Sequence, residues 1–226
     1  SIERISYGIL NLSHREGNEK PAVLEPKKFY DISIKLKHCA YRIKPDCKLR
    51  ISISTSYWPM VWPSPRTSKI TIGINKSYIE LPVVTDNSVF SEVVFQKPEH
   101  AKPLSLTVEK KGVEERKLIH KIGEDCTEFE IKRDDGFYVI DDIGTQLSYK
   151  KNKNFSVKRN DPLTCRTEVD CEAMFNRGAW KAQLNTTSAL TSDEKFFYLT
   201  AKLTALCDGE VFAERHFSEK IRRLFL

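Results

Sequence analysis

The sequence predicts an all-β protein built as a β-sandwich, and three observations carry that prediction. Apolar residues recur with period two almost throughout the 226 residues, the signature of half-buried strands. The helical period of 3.6 is nearly absent. Gly-bearing turn signals separate the alternating stretches, as antiparallel strands require. With 40% hydrophobic and 30% charged residues, the chain has apolar material for a packed core and does not have the composition of a disordered one.

The elements follow in order. Residues 29–37 place Ile32, Ile34 and Leu36 on one face and Asp31, Ser33 and Lys35 on the other. Residues 48–55 repeat this with Leu49, Ile51 and Ile53, and residues 69–74 and 78–83 are shorter strands that bend at Asn75-Lys76-Ser77. Leu104, Leu106 and Val108 then alternate with Ser105, Thr107 and Glu109. Between Gly112 and Gly123 the pattern weakens and charges crowd. That predicts a long loop near residues 110–125, inside a single domain spanning residues 1–226. Hairpin turns are expected at Asp134-Asp135-Gly136, Arg177-Gly178 and Asp208-Gly209, where glycine supplies the positive φ such turns need. Trp180, Ala182 and Leu184 read as a core face, and the last hairpin sets Phe197, Leu199, Ala201, Leu203 and Ala205 on one side. About a dozen short strands at this spacing give a sandwich.

Charge and motif content exclude several classes of function. The net charge of +6 comes from 37 basic and 31 acidic residues and is scattered along the chain. The basic stretch Lys150-Lys151-Asn152-Lys153 is interleaved by a single aromatic, Phe155, and reads as a solvated hairpin loop rather than a phosphate grip; no nucleic-acid partner is expected. No apolar run reaches the ~18 residues of a membrane-spanning helix, so no membrane partner is expected. The six cysteines form no C-x-x-C pair and no two histidines stand at i, i+4, so neither a metal site nor a cofactor is expected. The cysteines read as small buried apolar residues on strands, and His38 and Cys39, adjacent on a strand, point to opposite faces. Asp134-Asp135 and Asp141-Asp142 diverge in the same way and serve turns. There is no G-x-S-x-G nucleophile elbow and no glycine-rich phosphate cradle, so no catalytic residue is assigned. The amino terminus, Ser1-Ile2-Glu3-Arg4-Ile5, has neither an initiator Met nor a charged-then-apolar leader. A cytoplasmic piece of a longer protein is the expectation.

One segment departs from the pattern. Ser54-Thr55-Ser56-Tyr57-Trp58-Pro59-Met60-Val61-Trp62-Pro63-Ser64-Pro65 follows directly on an alternating stretch. Its three prolines remove ladder donors, so it loops out of any sheet. It nevertheless carries Tyr57, Trp58, Met60, Val61 and Trp62, whose apolar area is worth several kcal/mol once covered, at ~25 cal/mol per Å². Two coverings are open at this point. The loop folds back as a plug over its own domain, or it is a docking surface or pocket wall for another.

This loop, with residues 49–53 before it, closely resembles the carboxy-terminal domain of the CocE/NonD hydrolases. That family of α/β-hydrolases includes cocaine esterase, Xaa-Pro dipeptidyl-peptidases and glutaryl acylases. Tyr7-Gly8-Ile9-Leu10-Asn11-Leu12-Ser13-His14-Arg15, Tyr30-Asp31-Ile32, Ala40-Tyr41-Arg42-Ile43, Asp142-Ile143-Gly144 and Asp161-Pro162-Leu163 extend the likeness. It is dense over residues 7–65 and looser over 85–130. The resemblance implies a jelly-roll β-sandwich of the galactose-binding type behind an α/β-hydrolase domain, upstream in the same parent protein, that carries the Ser, Asp and His triad. It implies that Tyr57, Trp58, Met60, Val61 and Trp62 pack on that domain and help shape its acyl-side pocket. The family's first strands, normally upstream of Tyr7-Gly8, are missing here, which leaves strand edges open to self-association. The alternative function is a free-standing carbohydrate-binding module, with Tyr57, Trp58 or Trp180 stacked on a sugar ring.

Overall fold

The computed structural model describes residues 2–84 and 95–224. Seven strands form one antiparallel sheet in which each strand pairs with the next: β1 (Leu106–Lys121), β2 (Cys126–Ile140), β3 (Thr145–Lys158), β4 (Asp161–Arg177), β5 (Trp180–Ser192), β6 (Phe196–Cys207) and β7 (Glu210–Arg222). Helix among the described residues is confined to 3-10 turns of three residues, such as Leu12–His14 and Ile74–Lys76. The all-β class expected from the alternation is the class observed, and the sheet is in keeping with an all-β sandwich.

Hairpin chemistry explains the sheet's order. The β6–β7 turn carries Asp208 at φ 52° and Gly209 at φ 88°, the two positive values that a right-twisted two-residue turn demands. Lys181 N–H donates to Asp208 Oδ1 at 3.2 Å, so the same aspartate ties the β4–β5 turn to this one. The β2–β3 connection is a 3-10 turn, Asp141–Ile143. Asp141 is tied to the start of β1 by the Ser105 hydroxyl, which donates to its Oδ2 at 2.6 Å.

Several expectations are corrected. The stretch 110–125 is no long loop: β1 runs to Lys121 and a 3-10 turn, Ile122–Glu124, follows. Its charges pair along and across strands, as in Lys121–Glu128 at 2.7 Å, so charge crowding marked an edge strand instead. Lys150-Lys151-Asn152-Lys153 lies inside β3, with Lys150 paired to Glu172 at 2.9 Å. Trp180 is not core but 47% exposed at the start of β5. Cys39 and Cys47 are exposed, while Cys126 and Cys165 are buried. The alternating stretches 29–37, 48–55, 69–74 and 78–83 lie in no sheet ladder, because no described residue before Leu106 is in a strand. Alternation says which side chains share a face, but a ladder also needs a neighbouring strand, and local sequence does not encode one.

Asp134-Asp135-Gly136 is not a hairpin turn but a bulge within β2, where pairing to β3 slips between Asp134 and Phe137. Gly136 sits at φ 83°, and a Cβ there would stand 2.0 Å from the Lys110 carbonyl oxygen. Asp134 secures the bulge, accepting from Gly136 N–H at 2.9 Å and from Lys110 Nζ at 2.7 Å. The Lys110 ammonium, and then the Gly136 amide, hold its carboxyl below the ordinary range. Gly136→Ala therefore combines positive-φ strain with a backbone clash, and is expected to cost about 2 kcal/mol or more. A fall in the urea midpoint at unchanged slope would show this, and an unshifted midpoint would contradict it.

Candidate functional site

Cross-strand register separates the sheet into two faces, because directly paired residues point the same way. One face carries ion pairs such as Lys150–Glu172 and Lys202–Glu214 and belongs to water. On the other, Leu118, Phe129, Phe155, Thr167, Leu190 and Leu199 form a row across β1 to β6. Ser192 and Phe197, paired to each other, extend this end of the face by one pleat, and Cys165 points the same way two residues before Thr167.

The aromatic loop is seated on that end. After residue 54 the chain turns sharply: Ser54 Oγ bonds the Ser56 backbone and Val61 N–H donates to the Tyr57 carbonyl at 2.9 Å. The turn stacks Trp58 above Trp62, edge to face, with centroids 5.0 Å apart. Trp58 meets Phe155 at 6.2 Å and Trp62 meets Phe197 at 5.6 Å, both also edge to face. Each such pair contributes about 0.5–1.5 kcal/mol beyond its buried area.

A polar knot fixes the loop. Trp62 Nε1–H donates to Ser192 Oγ at 3.0 Å. Arg223, 8% exposed, donates through Nη1 to Ser192 Oγ at 2.9 Å and the Asp193 carbonyl at 3.0 Å, and through Nη2 to the Pro63 carbonyl at 2.7 Å. Its guanidinium lies 4.8 Å from the Phe197 ring centre. Burial pulls its pKa down, partly opposed by Asp193. Asp193 in turn closes the β5–β6 turn, accepting from Tyr198 OH at 2.6 Å and from the Lys195 and Phe196 amides. The tyrosine hydroxyl above all, then the two amides, hold its carboxyl below the ordinary carboxylate range.

Of the residues singled out in the sequence, Trp58, Val61 and Trp62 are half-buried, whereas Tyr57 (38% exposed) and Met60 (64% exposed) face outward. The two indoles thus pack on this chain's own sheet. Tyr57 joins the loop to the amino-terminal segment through Tyr7, 6.1 Å away, and through a hydrogen bond from Arg4. Sequence reasoning missed Ser192 and Arg223. Their only sequence mark is polarity at the end of an alternating strand, which many residues share. Phe155 and Phe197 were visible as strand residues but not as the loop's seat.

Away from that end the face is mostly half-buried on β2 to β6 and exposed on β1. Its middle is charged on β1 to β3, where Arg116 pairs with Glu114 and Arg133 with Asp135 beside Lys151 and Lys153, and uncharged on β4, at Val169 and Cys171. Beyond it lies a second apolar row, Val108, Tyr138, Leu147, Phe175 and Ala182. The chain's accessible surface is 19,162 Å², against the roughly 10,600 Å² expected of a folded monomer of this mass. Among the described residues no cluster of three or more His, Cys, Asp or Glu is placed to hold a metal ion. Burial pushes the Cys165 thiol up to about 11, a shift that the Arg223 charge partly opposes. That thiol is protonated at neutral pH and is no nucleophile.

Residues 2–104 match the family model of the X-Pro dipeptidyl-peptidase C-terminal non-catalytic domain. The match covers just under half of the chain and ends two residues before β1. The aromatic loop therefore lies in the matched half and its seat in the other. No curated protein and no solved structure matches the chain.

Three outcomes test the knot. Arg223→Ala strips the donor from two carbonyls and a hydroxyl and is expected to cost about 2 kcal/mol in chemical denaturation; a loss under half that size would remove its bracing role. Asp193→Asn is expected to lower the thermal midpoint at pH 7. Because the folded carboxyl titrates below its unfolded value, its stabilisation is complete above the unfolded pKa and is lost as pH falls through the folded one. The gap between wild type and variant should therefore close below about pH 4, and a pH-independent gap would contradict the assignment. Under native conditions iodoacetamide should modify Cys39 and Cys47 well before Cys165, as peptide mapping would read.

Proposed function

We propose that the chain is the non-catalytic C-terminal part of an X-Pro dipeptidyl-peptidase-like hydrolase, packing on an α/β-hydrolase domain of the same parent protein and helping to shape its active site. The match over residues 2–104 supports the family. The observation that carries the docking role is the uncovered surface, close to twice that of a self-sufficient domain of this mass. The seated indoles hold the loop rigid, so Tyr57 and Met60 present an outward apolar rim fit for a second domain's apolar surface. Val61, Trp58 and Trp62 act behind that rim as its support. Residues 1–226 act as one unit in this reading, with the galactose-binding-like jelly roll as the complete fold. The reaction served is cleavage of an Xaa-Pro peptide, another amide or an ester, by a triad that the partner domain supplies. The open strand edges extend the partners to a second copy of the chain.

Alone, the chain should release nothing from Xaa-Pro anilides or activated esters. Added to a separately produced α/β-hydrolase domain of such an enzyme, it should bind and raise turnover. Met60→Asp should weaken that binding by about tenfold and leave the chain's own unfolding midpoint unchanged. Turnover by the chain itself, or a hydrolase domain that neither binds nor responds to it, would overturn the reading.

A further inference from the structure

The sheet ends in two unlike edges. At β1, pairing slips between Val108 and Lys110, and the strand carries Gly112 together with charges on both faces. Set antiparallel against a copy of itself about its charged centre, β1 would oppose Glu115 to Glu115 or Arg116 to Arg116. These features blunt an edge. β7 is also exposed along nearly its whole length and slips against β6 between Ala213 and Val211; it differs in the order of its charges about Phe217, which with Ile221 is about half exposed on the loop-bearing face.

We infer that β7 is a dimer edge, pairing antiparallel with β7 of a second copy about a two-fold axis at Phe217. In this register Phe217 faces its own counterpart, as the symmetry of such an interface requires. Arg215 faces the copy's Glu219 and Glu219 the copy's Arg215. Glu214 faces the copy's Lys220 and Lys220 the copy's Glu214. Ala213 meets Ile221, and the match ends there, because β7 is bulged at Phe212. Every charged residue between positions 214 and 220 thus finds its opposite, twice over by symmetry. Neighbouring registers lose this. Centring on His216 opposes Arg215 to Phe217 and Ala213 to Glu219, and centring on Ser218 opposes His216 to Lys220.

The existing contacts of these charges lie within β7 and toward β6. Glu214 already takes Lys202 Nζ and His216 Nε2, each at 2.7 Å, and these two partners pull its carboxyl down to about 2. It is therefore ionised and ready to face a further ammonium. Lys220 Nζ lies 4.1 Å from the Phe196 ring centre on β6, so pairing with Glu214 of the copy would draw it off that ring. The product is a continuous sheet across two copies, with both loop-bearing faces on the same side.

This deepens the self-association reading and is independent of the hydrolase reading, since its readout is the mass of the chain alone rather than turnover. Sedimentation equilibrium should show a reversible dimer. Arg215→Glu and Glu219→Arg should each raise its dissociation constant by about tenfold or more, and the double variant should return it to within roughly threefold of wild type, because the exchanged charges again face opposites. Phe217→Cys should give a covalent dimer on mild oxidation beyond the wild-type background, and Ile221→Cys should not. A monomer at every concentration, a dimer indifferent to the charge exchange, or equal cross-linking at both positions would overturn the inference.

Discussion

The contact between the Trp62 indole and Ser192, with Arg223 bonded to the same hydroxyl, joins segments that are 130 and 160 residues from the loop in sequence. It is where the half of the chain that carries the family match meets the seven-stranded sheet. Without it, the three-proline loop would have no backbone ladder to hold it and two indoles to expose. With it, an otherwise irregular segment is pinned by ring contacts on one side and by donors from a buried guanidinium on the other. Arg223 is suited to this because a planar fork can serve a hydroxyl and two carbonyls at once, where an ammonium is a single point of charge.

The sheet's amphipathicity gives that knot its consequence. Cross-strand ion pairs assign one face to water, and exposed pairs of this kind contribute little stability in themselves. The opposite face carries two apolar rows, separated on β1 to β3 by ion-paired arginines and two lysines. The loop covers one end only. The accessible area exceeds that of a compact monomer of this mass, and most described residues before β1 are exposed. The outward placement of Tyr57 and Met60 and the self-matching charges of β7 are two different surfaces, one on a face and one along an edge.

Legibility varied by kind of residue. The loop was readable because proline is a local prohibition, and β5, β6 and β7 because alternation and an Asp-Gly turn are local preferences. The loop near 110–125 failed as an expectation because charge on both faces resembles a loop in sequence while also being how an edge strand avoids sticking. The Asp134-Asp135-Gly136 turn failed because glycine at positive φ serves a bulge as well as a hairpin. Only the strand beside it, with the Lys110 carbonyl where a Cβ would stand, distinguishes the two.

The sequence by itself determined the all-β class, the exclusion of the three prolines of residues 54–65 from any ladder, the absence of a nucleophile elbow and the aromatic load of the loop. Each is a property of neighbours within a few residues, where sterics and period act directly. The tertiary structure decided which stretches found ladder partners, that the indoles turned inward while Tyr57 and Met60 turned out, and that Ser192 and Arg223 were the anchors. Those outcomes depend on which distant groups are brought within hydrogen-bond range, and sequence separation carries no record of that.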